Sequence, residues 1–124
     1  MARILVIEDD DDLRASMVEV LQKAGHVVAS AADGAKGYTA IENFKPRLAI
    51  IDVFLPVQDG LETIVQIRKD SSNMKIIAIS GTRKTRQADY LRAAMDFGAD
   101  AALHKPFEKE SLLDVVDGLL DGDK

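Results

Sequence analysis

The sequence predicts an α/β fold in which helices cover both faces of a parallel sheet of five strands. Five short apolar runs recur along the 124 residues and are nearly continuous, which is typical of strands buried on both faces. Segments with helical spacing of their apolar residues separate these runs. A strict alternation of strand and helix places the strands side by side in one sheet.

The five apolar runs are the predicted strands. In chain order they are RILVIE (3–8), VVAS (27–30), RLAIID (47–52), KIIAIS (75–80) and DAALH (100–104). Most are rich in Ile, Val, Leu and Ala, and none shows the polar alternation of a strand with one solvated face. We therefore expect a doubly wound sheet with helices on each side.

Five segments between and after these runs are the predicted helices. Their apolar positions are Leu13, Met17, Val20, Leu21 and Ala24; Tyr38, Ile41 and Phe44; Leu61, Ile64 and Val65; Leu91, Ala94 and Met95; and Leu112, Val116 and Leu119. Gly25, Pro46 and Gly98 mark the ends of the first, second and fourth helices. The third begins just after Gly60 and the fifth follows Pro106.

Composition excludes several classes of function. The chain has no cysteine, which removes disulfides and thiolate zinc sites and agrees with a cytoplasmic location. A net charge of −5 argues against nucleic-acid binding, and no apolar run is long enough to span a membrane. We expect one domain over residues 1–124, with no room for an attached effector domain.

Acids, a hydroxyl and an ammonium follow the predicted strands. Glu8 and Asp9 follow the first strand, Asp52 ends the third, Ser80 ends the fourth and Lys105 follows the fifth. Functional groups of open α/β sheets collect at the carboxyl ends of the strands, so these side chains are expected to meet there. Crowded carboxylates need a cation among them, and Mg²⁺ is the natural candidate because it binds carboxylates and water.

Structural roles explain some of these acids but not all. Asp10, Asp11 and Asp12 stand at the start of the first helix, where acids cap the helix and favour its dipole. An EF-hand loop starting at Asp9 is excluded, because its fifth and sixth positions are Leu and Arg. Asp52 caps no helix, since the next one starts only near Gly60.

Four motifs together resemble a known family. The segments ILVIEDD, IIDVFLPVQDG, AIS and HKPF, in this order and at these distances, resemble the receiver domain of two-component response regulators, in particular its chemotaxis-regulator type. The resemblance covers essentially the whole chain. It implies a flavodoxin-like (βα)5 fold with strand order 2-1-3-4-5.

The resemblance also implies roles for individual residues. Asp52 is expected to accept a phosphoryl group from a sensor histidine kinase or a histidine phosphotransfer protein. Glu8, Asp9, Asp52 and the backbone carbonyl of Phe54 are expected to hold Mg²⁺. Ser80 and Lys105 are expected to bind the phosphoryl group, which switches the domain so that it controls a protein target that the sequence does not identify.

Two features depart from the family pattern. The family commonly has an aromatic residue three positions before the lysine, where this chain has Ala102. The segment between Ser80 and Lys105 is also longer than usual and carries Arg83, Lys84 and Arg86. These charges could shape partner docking or the lifetime of the phosphoryl group, but we favour a solvated loop.

Two other classes of protein share this kind of sheet. An aspartate-nucleophile phosphatase is the main alternative, but its D-x-D motif needs an acid where this chain has Phe54. A flavin- or nucleotide-binding module needs a loop that cradles phosphate after the first strand, and EDDDD repels phosphate. We therefore expect a signalling domain that catalyses only its own phosphoryl transfer and dephosphorylation.

Overall fold

The computed structural model describes residues 2–55, 57–70, 73–81 and 87–121, with the backbone alone for residues 87–89. Within these ranges strands and helices alternate as predicted. The elements are β1 (Arg3–Ile7), α1 (Asp11–Lys23), β2 (Val27–Ala31), α2 (Gly34–Phe44), β3 (Leu48–Asp52), α3 (Gly60–Asp70), β4 (Lys75–Ser80), α4 (Gln87–Phe97), β5 (Ala101–His104) and α5 (Lys109–Asp121). The predicted basic loop with Arg83, Lys84 and Arg86 lies outside the described residues.

The five strands form one parallel sheet in the order β2-β1-β3-β4-β5. In its register Leu5 pairs with Ala29 on one side and Ala49 on the other. The predicted order 2-1-3-4-5 is therefore confirmed, and β1, β3 and β4 lie in the middle of the sheet.

Alternate residues of the central strands enter two separate cores. Leu5 and Ile51 belong to the core beneath α2, α3 and α4, whereas Ile4 and Ile50 belong to the core beneath α1 and α5. Both faces of these strands exclude water, which is why their sequences read as continuous apolar runs.

The acids at the start of α1 have the structural role that the sequence predicts. The carboxylate of Asp10 caps the helix by accepting a hydrogen bond from the backbone N–H of Leu13, at 3.1 Å. Asp11 and Asp12 occupy the exposed first turn, where they favour the helix dipole.

Gly60 allows α3 to begin directly against the end of β3. A Cβ atom at this position would lie 2.1 Å from the backbone oxygen of Asp52, so no other residue fits without a shift of the backbone. The backbone N–H of Gly60 donates to the carbonyl of Val53 at 3.1 Å. The segment between β3 and α3 is thereby held at the carboxyl edge of the sheet.

Candidate functional site

The carboxyl ends of β1, β3, β4 and β5 bring the predicted site residues together. Glu8, Asp52 and Ser80 are buried, Lys105 is partly buried and Asp9 is exposed. They surround a shallow cavity of about 380 Å³, which is lined by Glu8, Asp9, Asp10, Leu13, Asp52, Phe54, Gly81 and Lys105. Ser80 immediately precedes Gly81, at the buried end of β4.

The ammonium of Lys105 joins two buried carboxylates. Its Nζ lies 2.6 Å from Oδ2 of Asp52 and 2.5 Å from Oε1 of Glu8. Burial alone would lower the pKa of Lys105, but hydrogen bonds and negative charge from Asp52 and Glu8 outweigh it and raise that pKa. The lysine therefore presents a fixed positive charge beside Asp52.

The three acids form a cluster that fits a divalent cation. Carboxylate oxygens of Glu8, Asp9 and Asp52 all lie within 4.8 Å of one another. Burial raises the pKa of Asp9, and a hydrogen bond and negative charge from Glu8 raise it further. Three carboxylates facing one ammonium leave two negative charges, and oxygen ligands of this kind suit Mg²⁺.

Backbone groups hold the buried carboxylates in place. The N–H of Phe54 donates to Oδ1 of Asp52 at 2.9 Å, and the N–H of Asp10 donates to Oε2 of Glu8 at 3.0 Å. Each carboxylate thus keeps one oxygen toward a backbone donor and the other toward Lys105.

Two contributors to the site were missed by sequence reasoning. Arg14 donates from Nη1 to the backbone carbonyl of Glu8 at 2.9 Å, which fixes the chain between β1 and α1. Gly81 makes room for Lys105, because a Cβ there would lie 2.8 Å from the Cδ of that lysine. The glycine after Ser80 was the available signal for the second, whereas nothing in the sequence distinguishes Arg14 from other helical arginines.

Ala102 and the two histidines, His26 and His104, do not line the cavity of the site. Ala102 packs against the core beneath α2, α3 and α4. His104 is exposed, and Nδ1 of His26 accepts a hydrogen bond from the backbone N–H of Ala2 at 3.1 Å.

Residues 4–117 match the family model described as the response regulator receiver domain. The chain belongs to this family. The predicted resemblance is thus confirmed, and the chain is a receiver domain of the two-component response regulators, in which the acidic cluster fits a Mg²⁺ site.

Known proteins similar to this receiver domain include response regulators of different lengths. The response regulator MprA of Mycobacterium sp. (strain KMS) is 35% identical over 118 residues, which are 95% of this chain and 50% of that protein. Protein PilH of Pseudomonas aeruginosa is 30% identical over 122 residues, 98% of this chain and 100% of its own length. The receiver domain therefore spans about half of some relatives and the whole of others.

A solved receiver domain has the same fold. The crystal structure of a CheY-like response regulator receiver domain protein from Methanospirillum hungatei JF-1 has a TM-score of 0.89 and 30% identity, and the match covers 99% of this chain and 96% of that one. Nothing in these matches favours the phosphatase alternative. Within the described residues, no helix has the length and apolarity that crossing a membrane requires.

Proposed function

We propose that Asp52 of this receiver domain is phosphorylated by a phosphohistidine donor, either a sensor histidine kinase or a histidine phosphotransfer protein. One observation carries the proposal. Asp52 is a buried carboxylate at the end of a central strand. It lies within hydrogen-bond distance of the Lys105 ammonium and beside the acids Glu8 and Asp9. Such a group is placed to react and not only to support the fold.

The chemistry is the transfer of a phosphoryl group between two side chains. A carboxylate oxygen of Asp52 attacks phosphorus as the N–P bond of the donor breaks. The electron pair of that bond returns to the donor imidazole, which takes a proton from solvent. Negative charge spreads over the phosphoryl oxygens during transfer, and the Lys105 ammonium, 2.6 Å from Asp52, is placed to neutralise part of it.

Glu8, Asp9, Asp52 and the backbone carbonyl of Phe54 would hold Mg²⁺ in this domain. When bound, the ion supplies the positive charge that the phosphoryl oxygens need. Ser80, buried at the end of β4, supplies the hydroxyl for a phosphoryl oxygen, and the resulting movement of Ser80 changes the surface seen by a downstream protein.

We also propose the extent, the location and the activity of the domain. Residues 1–124 form one receiver domain that acts in the cytoplasm, catalyses only its own phosphoryl transfer and dephosphorylation, and does not bind nucleic acid. The net charge of −5 supports the last point, because phosphate contacts need clustered basic residues.

Intact-protein mass spectrometry after incubation with acetyl phosphate tests the proposal. We expect one phosphoryl adduct on the wild-type chain in the presence of Mg²⁺, and none after chelation of the metal. Asp52→Asn removes the nucleophile, so the adduct is expected to disappear from that variant.

Asp114→Asn is the matched control. Asp114 is an exposed acid of α5 that does not line the cavity of the site, so this substitution makes the same change of charge outside the cavity and is expected to leave the adduct intact. An Asp52→Asn protein that is phosphorylated as well as the wild type would exclude Asp52 as the acceptor.

A further inference from the structure

An aromatic pair connects the phosphorylation site to α4. The ring centroids of Phe54 and Tyr90 are 4.6 Å apart, and the ring planes meet at 67°, which is an edge-to-face contact. Phe54 follows β3 and lines the cavity of the site, whereas Tyr90 lies in the first half of α4. Both are partly buried and pack against the same core.

Phe54 is attached to the reactive carboxylate through its own backbone. Its N–H donates to Oδ1 of Asp52 at 2.9 Å. A hydrogen bond to an ionised carboxylate is stronger than one to a neutral carbonyl. Phosphorylation converts the carboxylate into an acyl phosphate, so the hydrogen bond from the Phe54 N–H to Asp52 becomes weaker. At the same time new negative charge enters the cavity.

The position on β5 where the family commonly carries an aromatic residue offers no ring for such a coupling. Ala102 of β5 packs against the same core but has only a methyl group. An aromatic contact between the site and α4 is instead made by Phe54 and Tyr90.

We infer that Phe54 and Tyr90 form a relay that transmits the phosphorylation state of Asp52 to α4. The inference rests on the proposed phosphorylation of Asp52. When the carboxylate is modified, the Phe54 backbone shifts, the edge-to-face contact changes, and α4 changes position or stability in response. By thermodynamic reciprocity, a partner that holds α4 in one arrangement changes how readily the site takes a phosphoryl group.

Tyrosine fluorescence gives a direct readout of the relay. The chain has no tryptophan and two tyrosines, Tyr38 and Tyr90, so Tyr90 is the single tyrosine in a Tyr38→Phe background. Beryllofluoride with Mg²⁺ serves as the probe, because it mimics a phosphoryl group on a carboxylate. We expect its addition to change the Tyr90 emission, and Asp52→Asn to abolish the change.

Hydrogen exchange of the α4 amides tests whether the ring contact is needed. We expect beryllofluoride to alter exchange in Gln87–Phe97 of the wild type, and Tyr90→Leu to reduce that change to less than half while binding at Asp52 persists. Tyr90→Phe keeps the aromatic ring and removes only the hydroxyl, so we expect this variant to show the wild-type change in exchange. A loss of the change in Tyr90→Phe would mean that the hydroxyl, and not the ring contact, is needed. Phe54→Leu is expected to act like Tyr90→Leu, with no further loss in the double variant.

Phe97→Leu is the matched control, because this exposed aromatic residue of α4 lies outside the contact. It is expected to leave the α4 response at wild-type size. A response in Tyr90→Leu as large as in the wild type, with the phosphoryl mimic bound, overturns the relay and leaves Asp52 as the acceptor. A wild-type domain that binds neither beryllofluoride nor a phosphoryl group overturns the proposed function itself.

Discussion

Val57 occupies a backbone conformation that suits its side chain poorly. Its φ is +68°, in the left-handed region, and its β-branched side chain is 84% exposed. Residues other than Gly, Asn and Asp are disfavoured there by about 1–2 kcal/mol, and an exposed side chain regains little by packing. We expect Val57→Asn to raise the free energy of unfolding by about 1 kcal/mol, measured as a higher midpoint in urea with an unchanged slope.

Val27→Asn is the control for this substitution. Val27 is also exposed, at 46%, but it begins β2, where a β-branched residue is well suited to the extended backbone. The same replacement is expected to leave stability unchanged or to lower it. Equal effects of the two substitutions would mean that backbone strain at Val57 is not the cause.

The charged residues of the site could be predicted from the sequence because they stand at or just after the ends of predicted strands. Parallel strands share one carboxyl edge, so Glu8, Asp52 and Lys105 had to meet once the strands were recognised. The sequence could not show that Lys105 contacts both acids at once. That depends on the path of its side chain over Gly81, which only the three-dimensional structure defines.

At the scale of elements, His26 connects the start of β1 to the turn before β2. Its Nδ1 accepts the N–H of Ala2, and the backbone N–H of Val27 donates to the carbonyl of Ala2 at 2.9 Å. Partial burial lowers the pKa of His26 from its ordinary 6.5, although Asp117 opposes this. The folded state thus binds this proton less readily than the unfolded state does.

The lowered pKa predicts the direction of a pH effect on stability. The contribution of neutral His26 is fully present above the unfolded pKa of 6.5 and is lost as the pH falls from there through the folded value. We expect the free energy of unfolding to drop by less than about 1 kcal/mol from this residue between about pH 8 and about pH 5.5. Urea titrations of His26→Gln are expected to lack this part of the drop.

His104→Gln is the corresponding control, since His104 is exposed on β5. It is expected to keep the pH dependence of the wild type. If the two histidine variants behave alike, the hydrogen bond between His26 and Ala2 does not control this part of the stability.

Helix boundaries were predictable where glycine or proline marked them. Gly25 and Gly98 follow α1 and α4 with φ of +97° and +128°, as the sequence indicates. The cap of α2 was not anticipated: Asp33 accepts the N–H of Lys36 at 2.8 Å, and Lys45 ends the helix in a left-handed conformation. An aspartate between two elements is equally compatible with a turn, a cap or a solvated loop, so pattern alone does not decide its role.

At the scale of the whole molecule, an acidic cluster at one edge of the sheet opposes the stabilisation that the two apolar cores provide. Two cores bury both faces of the sheet, whereas Glu8, Asp9 and Asp52 concentrate like charge at its carboxyl end. The raised pKa of Asp9 shows that its ionised form is disfavoured in the folded state. Function-related groups that reduce stability are common at such sites.

Because the three acids repel one another but can bind a cation together, Asp9→Asn is expected to have opposite effects on stability without and with Mg²⁺. In metal-free buffer, Asp9→Asn removes one of three crowded charges and is expected to raise the free energy of unfolding by about 0.5–1 kcal/mol. Asp12→Asn is the control: it removes an exposed first-turn acid that favours the α1 dipole, so it is expected to lower stability by a few tenths of a kcal/mol.

Adding Mg²⁺ is expected to make the wild type more stable to unfolding than Asp9→Asn. An ion that binds only the folded state stabilises it by about 2.7 kcal/mol at a concentration of 100 times its Kd. The wild type keeps all three carboxylates and is expected to gain this amount, whereas Asp9→Asn binds the ion more weakly and gains less. Urea unfolding at increasing Mg²⁺ measures both gains. Equal gains in the two proteins would show that Asp9 does not contribute to the metal site, although it faces Glu8 and Asp52 across the cavity.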